Sequence, residues 1–386
     1  MSEATEIGAR RWLVLATAVV SFFAVGVGFY SVPPLLPLLT VRFGLDNLMA
    51  GVLMGSIAVP AIVLSVPLGA GIDRWSPRAA GAAGLVLMAL GGLLCAGATS
   101  YALLLLGRVT FGVGGLVINL LGARLLARVF AGRELSLAMS LFLAAYPVSM
   151  IACFTVQPWI EGALGWRAAL APAPLLSLLA LPLHLAVVAP DPPRDAGATP
   201  AARPAVGLPL LALALAWCLF FAAYASLITF APAWAGASGL LVVSTVAWVS
   251  LIASPLAGSL IDRTGGARWW AAGGLLTFAA TLVLMAAAML PPWPAMVLVG
   301  AVITLVPTAV YSLPVRLVAA ESTGFAFGLI TSFSNLGAVL GPALAGALRD
   351  RTPSWPVLWV ALAATVAVAA GFALAARPAR AASPPA

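Results

Sequence analysis

Gly69-Ala70-Gly71-Ile72-Asp73-Arg74-Trp75-Ser76-Pro77-Arg78 returns, altered but recognisable, as Gly258-Ser259-Leu260-Ile261-Asp262-Arg263-Thr264-Gly265-Gly266-Ala267-Arg268. The leading glycine and the Ile-Asp-Arg triplet keep the same offset, and Asp262 follows Asp73 by 189 residues in a chain of 386. A repeat of half the chain length is the signature of a duplication, whose two copies run parallel. A glycine closing an apolar run lets a neighbouring helix approach closely. The aspartate can then face the positive N-terminus of that neighbour, and the arginines hold the interface. Gly69, Asp73, Arg74 and Arg78, with Gly258, Asp262, Arg263 and Arg268, are therefore expected to form a latch that two helices make and release.

Both copies close an apolar run, and such runs fill the chain. Apolar residues make up 63% and charged residues 8%, where soluble domains hold roughly 45–50% and about 25%. Hydropathy and breakers predict twelve spans at 12–36, 48–70, 79–98, 101–123, 137–158 and 168–188, then 207–230, 240–261, 269–290, 294–316, 324–348 and 355–376. The runs are continuous, which excludes an outer-membrane barrel with its alternating strands. The longest polar stretch, Ala189–Val206, is rich in proline, alanine and charge and cannot bury a core. The expected organisation is an all-α membrane protein of two pseudo-symmetric six-helix bundles, 1–188 and 207–376. A cytoplasmic linker (189–206) joins them, and a disordered tail (377–386) follows.

All 19 basic residues are arginine. A chain without lysine has no P-loop lysine and no Schiff-base lysine, so an ATP-driven or lysine-dependent enzyme is excluded. Three isolated cysteines and one histidine supply no metal or haem spacing, and no cofactor is expected. The net charge of +8 reflects orientation rather than nucleic-acid binding. With both termini inside, fourteen arginines face the cytoplasm, four the outside, and Arg108 stays within a span. A multi-pass protein of the plasma (inner) membrane with cytoplasmic termini follows.

The two loop copies match the G-x-x-x-D-R-x-G-R-[RK] signature at Gly69, Asp73, Arg74 and Arg78, and at Gly258, Asp262, Arg263 and Gly265; Ser76 and Pro77 depart from it. Gly107-Arg108-Val109-Thr110-Phe111-Gly112-Val113-Gly114 in span four fits R-x-x-x-G-x-G. On these motifs the chain resembles the major facilitator superfamily of secondary transporters. The resemblance implies a central cavity lined by spans one, four, seven and ten, and alternating access by rocking of the bundles. It leaves the substrate open. Span five carries Tyr146, Pro147, Cys153 and Pro158 where the family's drug antiporters have a glycine-rich run, which argues against that subgroup.

Burying Arg108 costs roughly 2.5 kcal/mol or more. It is either a countercharge for an anionic substrate or a partner in proton relay, or an arginine near the outer end of span four satisfied by carbonyls or snorkelling. Tyr30, Asn119, Tyr224, Thr304, Thr308 and Tyr311, with Asn335 from span eleven, complete the candidate pocket. No carboxylate falls mid-span, so His184 is the remaining titrating group. Gly236-Ala237-Ser238-Gly239 resembles an intramembrane serine-protease motif, but Ser238 and His184 fall on opposite sides of the membrane. The expected function is secondary transport of a small organic solute, tilted toward an organic anion or weak acid by the single buried arginine. Efflux of lipophilic compounds is the alternative, and a channel or receptor on the same scaffold is more remote. The expected partners are the solute, a coupling proton or counter-ion and the lipid bilayer, with no nucleic acid, for a monomeric carrier.

Overall fold

The computed structural model describes residues 3–71, 75–130, 134–189, 207–318 and 323–377. Among the described residues, twelve helices are long and apolar enough to cross a membrane. The first six are Arg10–Phe43, Asn47–Ser65, Pro77–Ala96, Tyr101–Val129, Leu137–Leu164 and Trp166–Val187. The second six are Leu208–Trp234, Gly236–Thr264, Ala267–Ala286, Pro292–Ser312, Phe325–Arg351 and Trp355–Ala375. Every expected span overlaps one of them. An even number of crossings leaves both described ends on one face, the terminal face; the opposite face is the distal one. The expected linker and tail lie outside the described residues, apart from Ala189 and Arg377 at their edges.

The duplication is visible in the packing. In the first half the third span packs on the fourth and sixth, the first on the fifth and sixth, and the second on the fourth. Each pairing returns six spans later: nine on ten and twelve, seven on eleven and twelve, eight on ten. Lipid gives helices no hydrophobic reason to associate, so close backbone approach must supply the contact. Glycines provide it. A Cβ on Gly114 would lie 2.3 Å from the Gly84 carbonyl oxygen, and one on Gly112 would lie 2.0 Å from that of Ile57.

Three spans differ from their expected form. The first runs on to Phe43 as two helices, Glu3–Tyr30 and Val32–Phe43, hinged at Ser31. Pro33 and Pro34 carry no amide hydrogen, so the helical ladder is interrupted there and restarts. The second span is likewise broken, with Asn47–Gly55 and Val59–Gly71 joined by a 3₁₀ turn at Ser56–Ala58 just before Pro60. The eighth span ends later than expected. Its helix, Gly239–Thr264, carries Asp262 and Arg263 in its last turn, and the turn itself is made by Gly265 and Gly266, both at φ +66°.

The halves meet most closely between the second and eleventh spans. A Cβ on Gly51 would lie 2.0 Å from the Pro342 carbonyl oxygen, and one on Gly346 would lie 2.0 Å from that of Asn47. Gly55 sits against the Val339 backbone in the same way. These residues occupy the distal half of both spans, so the protein is sealed on its distal face.

Candidate functional site

Below that seal, aromatic side chains form an arch across the two halves. On the first side Phe142 stacks on Phe22 at 4.4 Å, Phe22 meets Tyr146 at 5.7 Å, and Tyr146 meets Tyr30 edge-on at 5.1 Å. On the second side Tyr224 stacks over Phe220 at 6.2 Å and Phe220 over Trp217 at 5.0 Å. Trp217 then meets Tyr311 edge-on at 5.5 Å, and Tyr311 stacks with Phe327 at 6.0 Å. The two sides join at the apex, where the hydroxyls of Tyr30 and Tyr224 lie 3.5 Å apart. The Tyr224 hydroxyl also points at the Met150 sulfur, 3.9 Å away. Four of the five tyrosines in the chain belong to this arch.

The exposure pattern gives the arch a direction. Trp217, Phe220, Phe142 and Tyr30 are buried, Tyr224 and Tyr146 partly so, and Tyr311 is 44% exposed near the terminal face. Quadrupolar rings prefer these offset and edge-on contacts. The rings leave phenol hydroxyls as the polar groups offered at the apex. Such a surface suits a small organic solute with a flat, apolar face and a few hydrogen-bonding groups.

Arg108 lies within electrostatic reach of Tyr146 in the arch, but its hydrogen bonds go to the backbone. Its guanidinium is 4% exposed and is held by backbone on three sides. Nε donates to the Leu53 carbonyl at 3.3 Å, Nη2 to that of Met54 at 2.9 Å, and Nη1 to that of Gly28. Gly28 lies within one turn of the first-span hinge, and Leu53 and Met54 lie just ahead of the 3₁₀ turn of the second. The planar fork of an arginine suits this task, because it presents several fixed donors at once; the Gly28 carbonyl is shared with Ser31 Oγ at 2.9 Å and the Leu53 carbonyl with Ser56 Oγ at 2.8 Å. A cavity of about 20 Å³, room for one water, borders it among Ser31, Cys95 and Phe111. Of the two readings of Arg108, the geometry matches satisfaction by carbonyls.

The remaining pocket candidates divide. Tyr30, Tyr224 and Tyr311 are brought together in one arch. Thr304 is buried and donates to the Gly300 carbonyl, and Thr308 donates to that of Thr304, so both hydroxyls are spent inside their own helix. The Asn335 amide donates to the Thr331 carbonyl in the same way. Asn119 is exposed on the face of the fourth span that carries Arg108 and Gly112. Tyr146, Trp217, Phe220 and Met150 stand outside the pocket that the sequence suggests. Their only sequence signal is an aromatic or sulfur side chain in an apolar run, which any packed helix shares.

Of the latch residues, Asp73 and Arg74 lie outside the described residues. Gly69 falls within the helix that ends at Gly71. The Arg78 carbonyl, with that of Pro77, accepts from His184 Nε2 at 3.2 and 3.3 Å. His184 is thus a buried tie between the sixth and third spans, seated on Gly81. In the second copy a Cβ added to Gly258 would meet nothing within 4 Å, Asp262 and Arg263 are exposed, and Arg268 lies over the Trp269 ring. Among the described residues, the close approach expected at Gly258 is not made in this conformation. Ser238 sits in the distal turn Gly236–Ser238, across the protein from His184, so the two form no nucleophile–base pair.

The family profile of the Major Facilitator Superfamily matches residues 18–342 and 235–386. A bacterial homolog of the human lysosomal transporter Spinster, solved inward-facing and unoccupied, superposes with a TM-score of 0.74. It shares 14% identity, with 95% of this chain and 97% of that one covered. The nucleoside transporter NupG superposes at 0.76, again at 14% identity, over 94% and 99% of the two chains. Lysosomal dipeptide transporter MFSD1 is 32% identical over 107 residues in Danio rerio and 34% over 110 residues in Homo sapiens. Each of those matches covers 28% of this chain and 23% of the relative, so the chain spans under a quarter of the curated proteins it matches. With twelve spans, a half-chain repeat and a profile match over nearly its whole length, the chain belongs to the Major Facilitator Superfamily and is a membrane transporter rather than an enzyme.

Proposed function

We propose that this protein is a secondary carrier for a small organic solute without net charge and with an aromatic or otherwise flat face. The solute binds at the apex of the arch and is moved by rocking of the two halves. The observation that carries the reading is the meeting of Tyr30 and Tyr224, one from each half, at 3.5 Å directly beneath the distal seal. A solute seated there would contact both halves at once, which is what coupling a binding event to their relative motion requires.

The tilt toward an anion rests on Arg108, and three backbone carbonyls already engage that guanidinium. The named substrates of the similar transporters fit an uncharged reading. A dipeptide with uncharged side chains is a zwitterion with no net charge, and a nucleoside is a neutral molecule with an aromatic base. The loop copies would serve as the latch of the terminal face, and the exposure of Asp262 and Arg263 fits a latch that is open. By the arginine distribution, the terminal face is cytoplasmic and the membrane the inner one.

The test is thermal stability of the purified protein with adenosine and indole as flat neutral solutes, benzoate and citrate as anions, and sorbitol as a flexible neutral. A ligand of the folded state stabilises by RT ln(1 + [L]/Kd), about 2.7 kcal/mol at 100 times Kd. Stabilisation by the flat neutral solutes is expected. Stabilisation by the anions alone would overturn the uncharged reading.

A further inference from the structure

The polar contact that closes the distal seal is made by one residue, Asp350, and it crosses from one half to the other. Asp350 Oδ1 accepts from the Asn47 backbone amide at 3.0 Å and from the Asn47 side-chain amide at 2.7 Å; Oδ2 accepts from the Leu48 amide at 2.9 Å. Asn47 and Leu48 are the first two residues of the helix Asn47–Gly55. The opening amides of a helix have no partner within it. Here they are shared out: Asp46, the residue just before the helix, accepts from the Met49 amide at 2.6 Å. The two earlier amides are left to a carboxylate 302 and 303 residues away.

Three features set this contact apart from an ordinary helix cap. It sits where the two halves are closest, one turn beyond the Gly346 approach to Asn47. Its neighbour Arg349 lies over the Trp355 ring, 3.8 Å from the ring centre, and attracts the carboxylate through space without a hydrogen bond, so the hydrogen bonds that the structure gives Asp350 all go to the opposite half. Asp350 is also exposed. Breaking its three bonds would return the carboxylate to water instead of stranding a charge, and the freed amides would be hydrated too. A contact made and broken in every cycle needs that low cost of release.

We infer that Asp350 is the gate residue of the distal face, a cap supplied in trans that holds the halves together and must release Asn47 and Leu48 whenever that face opens. The inference requires only that the halves part on the distal side. It is independent of the solute.

The experiment places spin labels on Arg42→Cys and Met289→Cys, exposed positions on the distal side of each half, in a chain whose three native cysteines are changed to alanine. Pulsed electron resonance then reads the distance between them. The parent is expected to show a short-distance population. Asp350→Ala should raise the ratio of long to short distances by about tenfold, the loss of one helix cap with its charge. Asn47→Ala, which deletes one of the three donors, should shift it in the same direction by less. A residue that merely stabilised the start of the second span would lower the melting temperature and leave the distances alone, and that result would overturn the inference. If Asp350→Ala does not fold, Asn47→Ala decides: a shift toward long distances supports the gate, and an unchanged distribution overturns it.

Discussion

Replacing Arg108 separates a structural pin from a substrate contact. In Arg108→Gln, one amide nitrogen must serve where three guanidinium nitrogens now donate to Gly28, Leu53 and Met54. In Arg108→Lys the charge survives, but a single ammonium cannot span acceptors on two different helices at the same distances. Hydrogen bonds inside membrane proteins average about 0.6 kcal/mol each and reach about 1.7. Loss of three therefore costs about 2–5 kcal/mol, and the lysine variant recovers only part of it. The assay is reversible unfolding of the purified protein in detergent, with solute stabilisation measured on the same samples. Expected is a large loss of stability in both variants, the glutamine one worse, with the order of preferred solutes unchanged. A variant within about 0.5 kcal/mol of the parent that has lost binding of benzoate or citrate would refute the reasoning and restore Arg108 as a countercharge.

Two further perturbations test the faces separately. Gly346→Val places a side chain where even a Cβ would lie 2.0 Å from the Asn47 backbone; it should hold the distal face open and slow exchange while the protein still folds, as read by spin-label distances and transport rate. At Gly258 an added Cβ would meet nothing among the described residues within 4 Å, so Gly258→Val should leave stability in the present conformation unchanged. Its turnover should fall severalfold, because the latch proposed for the terminal face needs that surface, and unchanged turnover would remove Gly258 from the latch.

Much of the fold was legible because its signals are local or periodic. Span count follows from runs long enough to cross a bilayer, and the duplication from one triplet repeated at a fixed offset. Gly337, Gly341 and Gly346 recur along span eleven and seat the Cys218, Ala222 and Asn47 backbones. The hinge at Ser31 was marked by Pro33 and Pro34, yet nothing local says that the chain re-enters a helix on the same axis. The functional assignments were harder for a physical reason. The partners of Arg108 are backbone carbonyls, which every residue possesses, so no side-chain pattern points to them. Tyr146 joins Tyr30 and Tyr224 only through a crossing of three helices. Asp350 finds Asn47 across some 300 residues, and each alone reads as an ordinary residue at the end of a span.

The most direct measurement is counterflow in proteoliposomes. The vesicles are loaded with whichever panel solute stabilises the protein most, tracer is added outside, and the parent is compared with Tyr224→Ala. The account predicts saturable, trans-stimulated tracer entry in the parent, with affinity weakened in Tyr224→Ala by removal of one wall of the apex. Flux that rises linearly without trans-stimulation, or counterflow of parental affinity in Tyr224→Ala, would contradict a carrier whose solute sits between Tyr30 and Tyr224.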